Sequence, residues 1–320
     1  MDLIDRPGSA GRLLEIRGPD ELTAASAQSF ADAVARGLDG SAAVLWLNLE
    51  RAKIVDVVAL AVVAQAVERC RTRGVGCVIF PSAAVQRGFA RAGLARRVPV
   101  DHRRAGARRD ADDVVEVEPT APPEMRSRDG KVRLAPPTWD DLRWLEGWAQ
   151  DARLARLVGS EMLQMVEHFG PYDPDVAPEV LTSPTALVFL IHGDNDPRPI
   201  GFVRLYNVNL GQGFAFLETV VADARGRRGA WGVLASRLLS GFAVETLGLH
   251  RIETKVYVDN VVSINALRRH GFTLEGRLRE AYLQDGQRSD ILVFGILGPE
   301  VRRRLTEEQV PSVTFWPALA

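Results

Sequence analysis

Three hundred and twenty residues suggest two domains of ordinary size. Forty basic side chains against forty-one acidic ones leave a net charge of −1, so no global field gathers nucleic acid or an anionic membrane surface. The lysines are Lys53, Lys131 and Lys255 and every other basic residue is arginine; these are scattered among acids, which speaks against a broad nucleic-acid face.

The longest apolar run, residues 57–67, is well short of the roughly 18–20 residues that cross a bilayer. The opening Met-Asp-Leu-Ile-Asp has neither the basic nor the apolar region of a secretory signal, so the chain reads as cytoplasmic, with no membrane partner. Cys70 and Cys77 are the only cysteines, and no Cys or His group has metal-ligand spacing. A reduced protein without a metal is expected.

In chain order, residues 13–16 read as a strand, and 21–38 carry apolar residues at helical spacing. Residues 43–49 alternate as a buried strand, 57–73 read as a helix, 77–80 as a strand, and 82–93 as a helix closed by Gly93. Such alternation predicts a mostly parallel sheet covered by helices. Residues 103–127 break the pattern: a basic cluster, an acidic run and three prolines read as a solvated linker. Beyond it, 132–134 is a strand and Thr138 caps a helix with Asp140 and Asp141 in its first turn. Residues 152–168 form a second amphipathic helix. Strands 186–192 and 200–206 make a hairpin, and 214–221 is a further strand. Then come an Arg/Gly loop (225–232), a helix to about 247, a strand 252–258, a helix 260–270, and closing strands 273–283 and 288–297. The division read from this is 1–102, linker 103–127, 128–300, and a C-terminal tail 301–320.

The order and spacing over residues 11–100 resemble the STAS family. The centre of the likeness is Leu47-Asn48-Leu49 followed by Ile54-Val55-Asp56-Val57-Val58-Ala59-Leu60. In that family a serine after the aspartate accepts phosphate. Val57 and Val58 have no hydroxyl, so the resemblance implies a domain without the phospho-switch, with Asp56 left as a helix cap. It then serves protein docking or dimerisation, or is kept for stability alone.

The most informative stretch is Val220-Val221-Ala222-Asp223-Ala224-Arg225-Gly226-Arg227-Arg228-Gly229-Ala230-Trp231-Gly232, between a predicted strand and a predicted helix. Backbone amides at a helix N-terminus, approachable past small residues and flanked by arginines, make an anion site. With Leu247-Gly248-Leu249-His250-Arg251, Asn260-x-x-Ser263 and Gly271-Phe272, residues 130–298 resemble the GNAT acyltransferase superfamily, nearest its ribosomal-protein N-terminal (alanine) acetyltransferase-like branch. The fold class is therefore α/β: a STAS-like sheet-and-helix domain followed by a GNAT mixed α/β acyltransferase domain.

The resemblance implies acetyl-CoA as co-substrate. Its pyrophosphate would rest on Arg227, Arg228, Gly229, Ala230, Gly232 and Val233, where Ala230 replaces a family glycine. The strand end Val220-Val221 would pair with the pantetheine arm, and Asn260 would hydrogen-bond it or cap its own helix. The family's tyrosine proton donor falls on Leu267, which leaves Ser263 as the hydroxyl facing the leaving thiolate. Read from the residues, Glu218 shares a strand face with Val220 among apolar neighbours, where a carboxylate should hold its proton more tightly and could take one from an amine. His168, His192, His250 and His270 are isolated in sequence and are given no chemistry. The predicted function is acetyl transfer from acetyl-CoA to a primary amine: a peptide N-terminus, an amino sugar or a natural-product amine. Residues 152–186 would shape the acceptor pocket, with Glu161, Glu167, Asp173 and Asp175 available to attract a cation. The alternative is a non-catalytic regulator that senses acyl-CoA or acts as a scaffold, docking proteins through the STAS-like half.

Overall fold

Leu14, Ile16, Leu45, Leu47 and Leu49 alternate along two strands and are all buried, the pattern of strands with an apolar inner face. The computed structural model describes residues 2–8, 11–39, 42–101, 124–193, 196–223, 231–284 and 286–307. Its first sheet runs β1 (Asp2–Gly8), β2 (Gly11–Arg17), β4 (Ala42–Leu49), β6 (Gly76–Pro81). The β1–β2 pair is an antiparallel hairpin; the other two pairings are parallel. Strand β1 was not expected, because an edge strand of charges, a proline and a glycine carries no apolar alternation.

A separate parallel pair, β3 (Glu21–Leu22) with β5 (Ile54–Val55), leads into α1 (Ala24–Asp39) and α2 (Val57–Thr72). Diversion of Glu21 and Leu22 into that pair is why α1 starts later than its apolar spacing predicts. Asp56 caps α2 as expected, with one carboxylate oxygen accepting from the Ala59 N–H at 2.9 Å and the other from the Ala24 N–H at 2.6 Å. One buried side chain thus anchors the starts of two helices. Helix α3 (Ala83–Arg91) follows β6, capped by Ser82.

The second sheet has eight strands in the order β13-β14-β12-β11-β10-β9-β8-β7. In chain order its region runs β7 (Met125–Arg126), β8 (Val132–Ala135), a 3-10 turn (Trp139–Asp141), α4 (Leu142–Ala149), α5 (Ala152–Leu157), α6 (Glu161–Phe169), α7 (Val176–Leu181), β9 (Leu187–Gly193), β10 (Gly201–Asn209), β11 (Phe214–Val221), α8 (Trp231–Glu245), β12 (Arg251–Tyr257), α9 (Val261–His270), β13 (Thr273–Gln284), β14 (Gln287–Leu297) and α10 (Gly298–Glu307). Only β11 and β12 pair in parallel here; the remaining neighbours are antiparallel.

Three departures have physical causes. The helix expected over 152–168 breaks into α5 and α6, because the chain passes so close to Tyr257 that a side chain at Gly159 would strike its hydroxyl. Ser160 restarts the helix by accepting from the Leu163 N–H. Residues from 301 are not all tail: α10 packs onto α8, with Val301 buried and Leu305 against Gly241. Met125–Arg126 pairs with Leu134 and Arg133 inside the stretch read as linker, whose residues 102–123 lie outside the described ones.

Helix α8 covers one face of the large sheet through Ala235, Leu238 and Leu239 against Ala215 and Leu217. Helices α4, α6 and α7 cover the other, where Leu142, Leu145, Met162 and Val166 meet Val188, Leu190, Phe202 and Val220. The two halves of the chain meet through α2 and α3. Val57, Val58, Ala61 and Val62 are all nearly inaccessible, so α2 is buried on its outer side as well as against its own sheet. The Val57 N–H donates to Ser183 O at 3.1 Å, Gln65 Nε2 to Thr246 O at 2.6 Å, and Gly211 N–H to Ala92 O at 3.2 Å. Gly93, with φ +73°, lies so tightly on the Asn209 carboxamide that no side chain would fit. A single buried apolar cluster runs through both halves. The start and outer side of α2 are thus held by the chain's own second half. Among the described residues no helix is long and apolar enough to cross a membrane.

A wedge between two parallel strands

Strands β11 and β12 pair only over Phe214–Arg251, Ala215–Ile252 and Phe216–Glu253. Beyond that point they part, while β11 stays paired on its other edge to β10 as far as Val221. Among the described residues the β12-facing edge of 217–221 is therefore unpaired backbone at the centre of a sheet. An extended ligand can complete it as an added strand would.

The mouth of this wedge is fixed by helix α8. Thr219 and Ser236 share a hydroxyl hydrogen bond at 2.8 Å, and Ser236 donates onward to Gly232 O. A Cβ at Gly232 would lie 2.9 Å from the Val221 side chain, so the first described turn of α8 is pressed onto the strand end. Val220 and Val221 flank the wedge, with Val220 buried on the α4–α6 face and Val221 packed toward α8. Gly232 and Val233 lie in the first described turn of α8. Arg227, Arg228, Gly229 and Ala230, read as the pyrophosphate cradle, lie outside the described residues.

Asn260 sits at the far side. Its side-chain oxygen accepts from the Ser263 N–H at 3.1 Å and caps α9, while its amide donates to Leu157 O at 2.9 Å. The capping role is thus realised, and Asn260 also fastens the α5–α6 turn to the end of β12. Ser263 is in the first turn of α9.

Glu218 has a partner that sequence reading missed. Arg204 stands directly across from it in the β10–β11 register, and the two form an ion pair with both side chains nearly buried. The carboxylate does not sit alone on an apolar face, as the sequence suggested. The signal available was a charged residue inside the apolar run of β10. The Arg204 guanidinium also lies 4.6 Å from the centroid of Tyr206, which stacks on Phe216. Burial, and then the negative charge of Glu218, push the Tyr206 hydroxyl up to about 12.

On the β12 side of the wedge, the Lys255 ammonium lies 5.2 Å from the centroid of the Phe216 ring. Tyr257 stacks face to face on Tyr282 at 3.9 Å, and the Tyr282 hydroxyl donates to Asp259. The Tyr257 hydroxyl is also shifted upward, by burial first and by Tyr282 and Glu218 after it. Of the acidic residues assigned to the acceptor side, Glu161 is the one whose charge reaches Tyr206, and Asp173 instead accepts from the Asp175 N–H in the turn before α7. Among the described residues no group of three or more His, Cys, Asp or Glu is placed to hold a metal ion.

Comparison with known proteins agrees with this anatomy. Residues 131–273 match the family model described as an acetyltransferase (GNAT) domain, and residues 6–107 match that of the STAS domain. Over 113 residues the chain is 34% identical to the protein named Probable N-acetyltransferase YjcK of Bacillus subtilis (strain 168), a match covering 35% of this chain and 62% of that protein. Among solved structures, the spermidine N-acetyltransferase of Vibrio cholerae in complex with CoA and spermine aligns at 18% identity, over 54% of this chain and 98% of that one, with a TM-score of 0.44. A chimera of the Vibrio cholerae enzyme SpeG and hSSAT aligns at 20% identity, over 54% and 99% of the two chains, with a TM-score of 0.46. Neither the family models nor these relatives single out the ribosomal-protein-like branch. Residues 6–107 are thus similar to STAS domains, and residues 131–273 to acetyltransferase domains of the GNAT type.

Proposed function

We propose that this protein transfers an acetyl group from acetyl-CoA to a primary amine. The observation that carries the reading is the wedge: open strand backbone at 217–221, beside the described start of α8, within a GNAT domain. An acyl-pantetheine arm laid along that edge gains the hydrogen bonds β12 leaves unmade. Its thioester then faces Glu218 on one side and the β12 aromatics on the other.

Catalysis in such a site is chiefly positioning, together with polarisation of the thioester carbonyl by a backbone amide of β11. The amine nitrogen attacks the carbonyl carbon, the carbon–sulfur bond breaks, and the proton lost by nitrogen passes to Glu218 or through water. Glu161 places negative charge toward Tyr206, beside Glu218 and Glu253, which are paired to Arg204 and Arg251, and this suits an acceptor that arrives as a cation. The polyamine bound by the Vibrio cholerae relative is one compound of that class.

The experiment is a calorimetric titration of acetyl-CoA into the full chain, followed by thiol-release assays on diamines, amino sugars and alanine-initiated peptides. Micromolar binding with amine-dependent thiol release is the expected result. Binding without release to any amine would favour the second reading, an acyl-CoA-sensing regulator. The ion pair that already occupies Glu218 is the observation on that side.

A further inference from the structure

We propose that the protein acetylates one of its own side chains, Lys255, an activity that rests on the acyl-CoA reading above. Strands β11 and β12 stop pairing after Phe216–Glu253, while β12 keeps its partner on the other edge, with Lys255 opposite Val293 of β14. Lys255 is therefore the second residue of β12 beyond the point of parting. Its side chain crosses from β12 to β11, and the ammonium lies 5.2 Å from the ring centroid of Phe216, the last residue of β11 paired to β12. A primary amine thus stands at the floor of the wedge.

The ring that carries it is fixed, stacked on Tyr206 at 5.4 Å and met edge-on by Phe214 at 6.3 Å. Side chains alternate along a strand, so Glu218 is the next one above Phe216 on the same face. Lys255 is exposed, and among the described residues no carboxylate holds it. Glu253, two residues before it on the same strand face, is taken by Arg251 at 2.8 Å. The other lysines are exposed too, but each is tied: Lys53 to Asp20 at 3.6 Å, Lys131 to Asp129 at 3.0 Å. Neither belongs to β11, β12 or α8. An acyl-pantetheine arm added to the 217–221 edge as a strand would lie about 4.8 Å from β11. The four-carbon stem of Lys255 spans such a distance, and an exposed cation–ring contact is weak enough for its tip to leave Phe216. The amine makes the same demand as any free alkylamine, the loss of one proton before attack, with the advantage of being held beside the thioester.

The step balances without any further reactant. The Lys255 ammonium gives a proton to water, and the neutral Nζ bonds to the thioester carbonyl carbon. The carbon–sulfur bond breaks and its electron pair goes to sulfur. The second proton leaves nitrogen for Glu218, directly or through water, and solvent returns one to the thiolate. Ammonium and thioester become amide, thiol and one released proton. The product has lost its charge and its hold on Phe216, so a self-acetylated protein presents a neutral floor to an arriving amine.

The test needs no external acceptor. The full chain is incubated with acetyl-CoA, and peptide mass spectrometry follows acetylation at Lys53, Lys131 and Lys255, the first two serving as internal references. The expected result is that Lys255 is modified roughly tenfold faster than either, or more. Its rate should saturate where calorimetry shows acetyl-CoA binding to saturate, and should not depend on protein concentration. Excess CoA should suppress the reaction at Lys255 and leave the slow chemical acetylation of Lys53 and Lys131 unchanged. Equal rates at all the lysines overturn the inference and leave the acyl-CoA reading intact. So does a Lys255 rate that is linear in bound-range acetyl-CoA, insensitive to CoA, or rising with protein concentration. Failure of the full chain to bind acetyl-CoA at all overturns both.

Discussion

Val58 tests whether the two halves fold as one body. It lies one helical turn from Ala61 and Val62 and in line with Gln65, whose amide donates to Thr246 O in the second half, and is 1% exposed. Val58→Ala removes two buried carbons, about 1.6 kcal/mol of transfer free energy, with a cavity contribution that brings the loss to about 2 kcal/mol. Val58→Asp adds an unpartnered carboxylate and should raise the loss to about 4–5 kcal/mol, a large fraction of a typical domain's stability. Hydrogen exchange read by mass spectrometry along a urea series reports each half separately. The shared buried cluster predicts that Val58→Ala lowers the midpoint for α1–α3 peptides and for β9–β11 peptides together. If only the N-terminal peptides shift, the interface does not couple the halves and the reasoning fails.

The remaining predictions concern charged groups. Arg204→Met strands the nearly buried Glu218 carboxylate and should destabilise the protein by about 3 kcal/mol, most of it recovered in Arg204→Met with Glu218→Gln; chemical denaturation of the three variants checks this. Glu218→Gln alone should lower amine turnover while leaving acetyl-CoA affinity unchanged, and an unaltered pH–rate profile would remove Glu218 from proton transfer. Burial raises Asp56 from 3.8 to about 6, so the folded protein binds a proton that the unfolded chain has already lost. This contribution falls as pH rises from about 4 to 6, so Asp56→Asn should gain about 3 kcal/mol relative to the parent across that window. His270 behaves oppositely. Burial first, and then Arg237 and Arg304, depress it from 6.5 to about 3, so its contribution is complete above 6.5 and is lost as pH falls toward 3, by up to about 1.4 kcal/mol per unit. His270→Gln should flatten that acid limb in pH-dependent denaturation.

Strand β11 and helix α9 were legible from sequence to within a residue, because alternation or helical spacing there coincides with a clear boundary: a turn before Phe214 and an Asn260 cap before Val261. Features created by tertiary approach were not legible. The break at Gly159 exists because Tyr257 arrives from a hundred residues away, and the Arg204–Glu218 pair depends on a strand register that composition does not specify. The parting of β11 from β12 is of the same kind. Nothing in either strand's apolar pattern changes at Phe216, yet pairing stops there.

The missing hydroxyls at Val57 and Val58 gain their meaning from that same tertiary level. In the family that residues 11–100 resemble, a serine after the capping aspartate takes phosphate, and Val57 and Val58 stand at those positions. Here the Val57 side chain is fully inaccessible and its amide is committed to Ser183 O in the second half of the chain. A phosphate there would bring about two negative charges into an apolar contact and beside the Asp56 carboxylate, an arrangement with no compensating cation among Val58, Ala59, Leu60 and Ala61. A buried helix start and the absence of a phosphoacceptor are therefore consistent with one another: a contact closed by Val57, Val58 and the bond to Ser183 O has no room for a charge that would have to come and go.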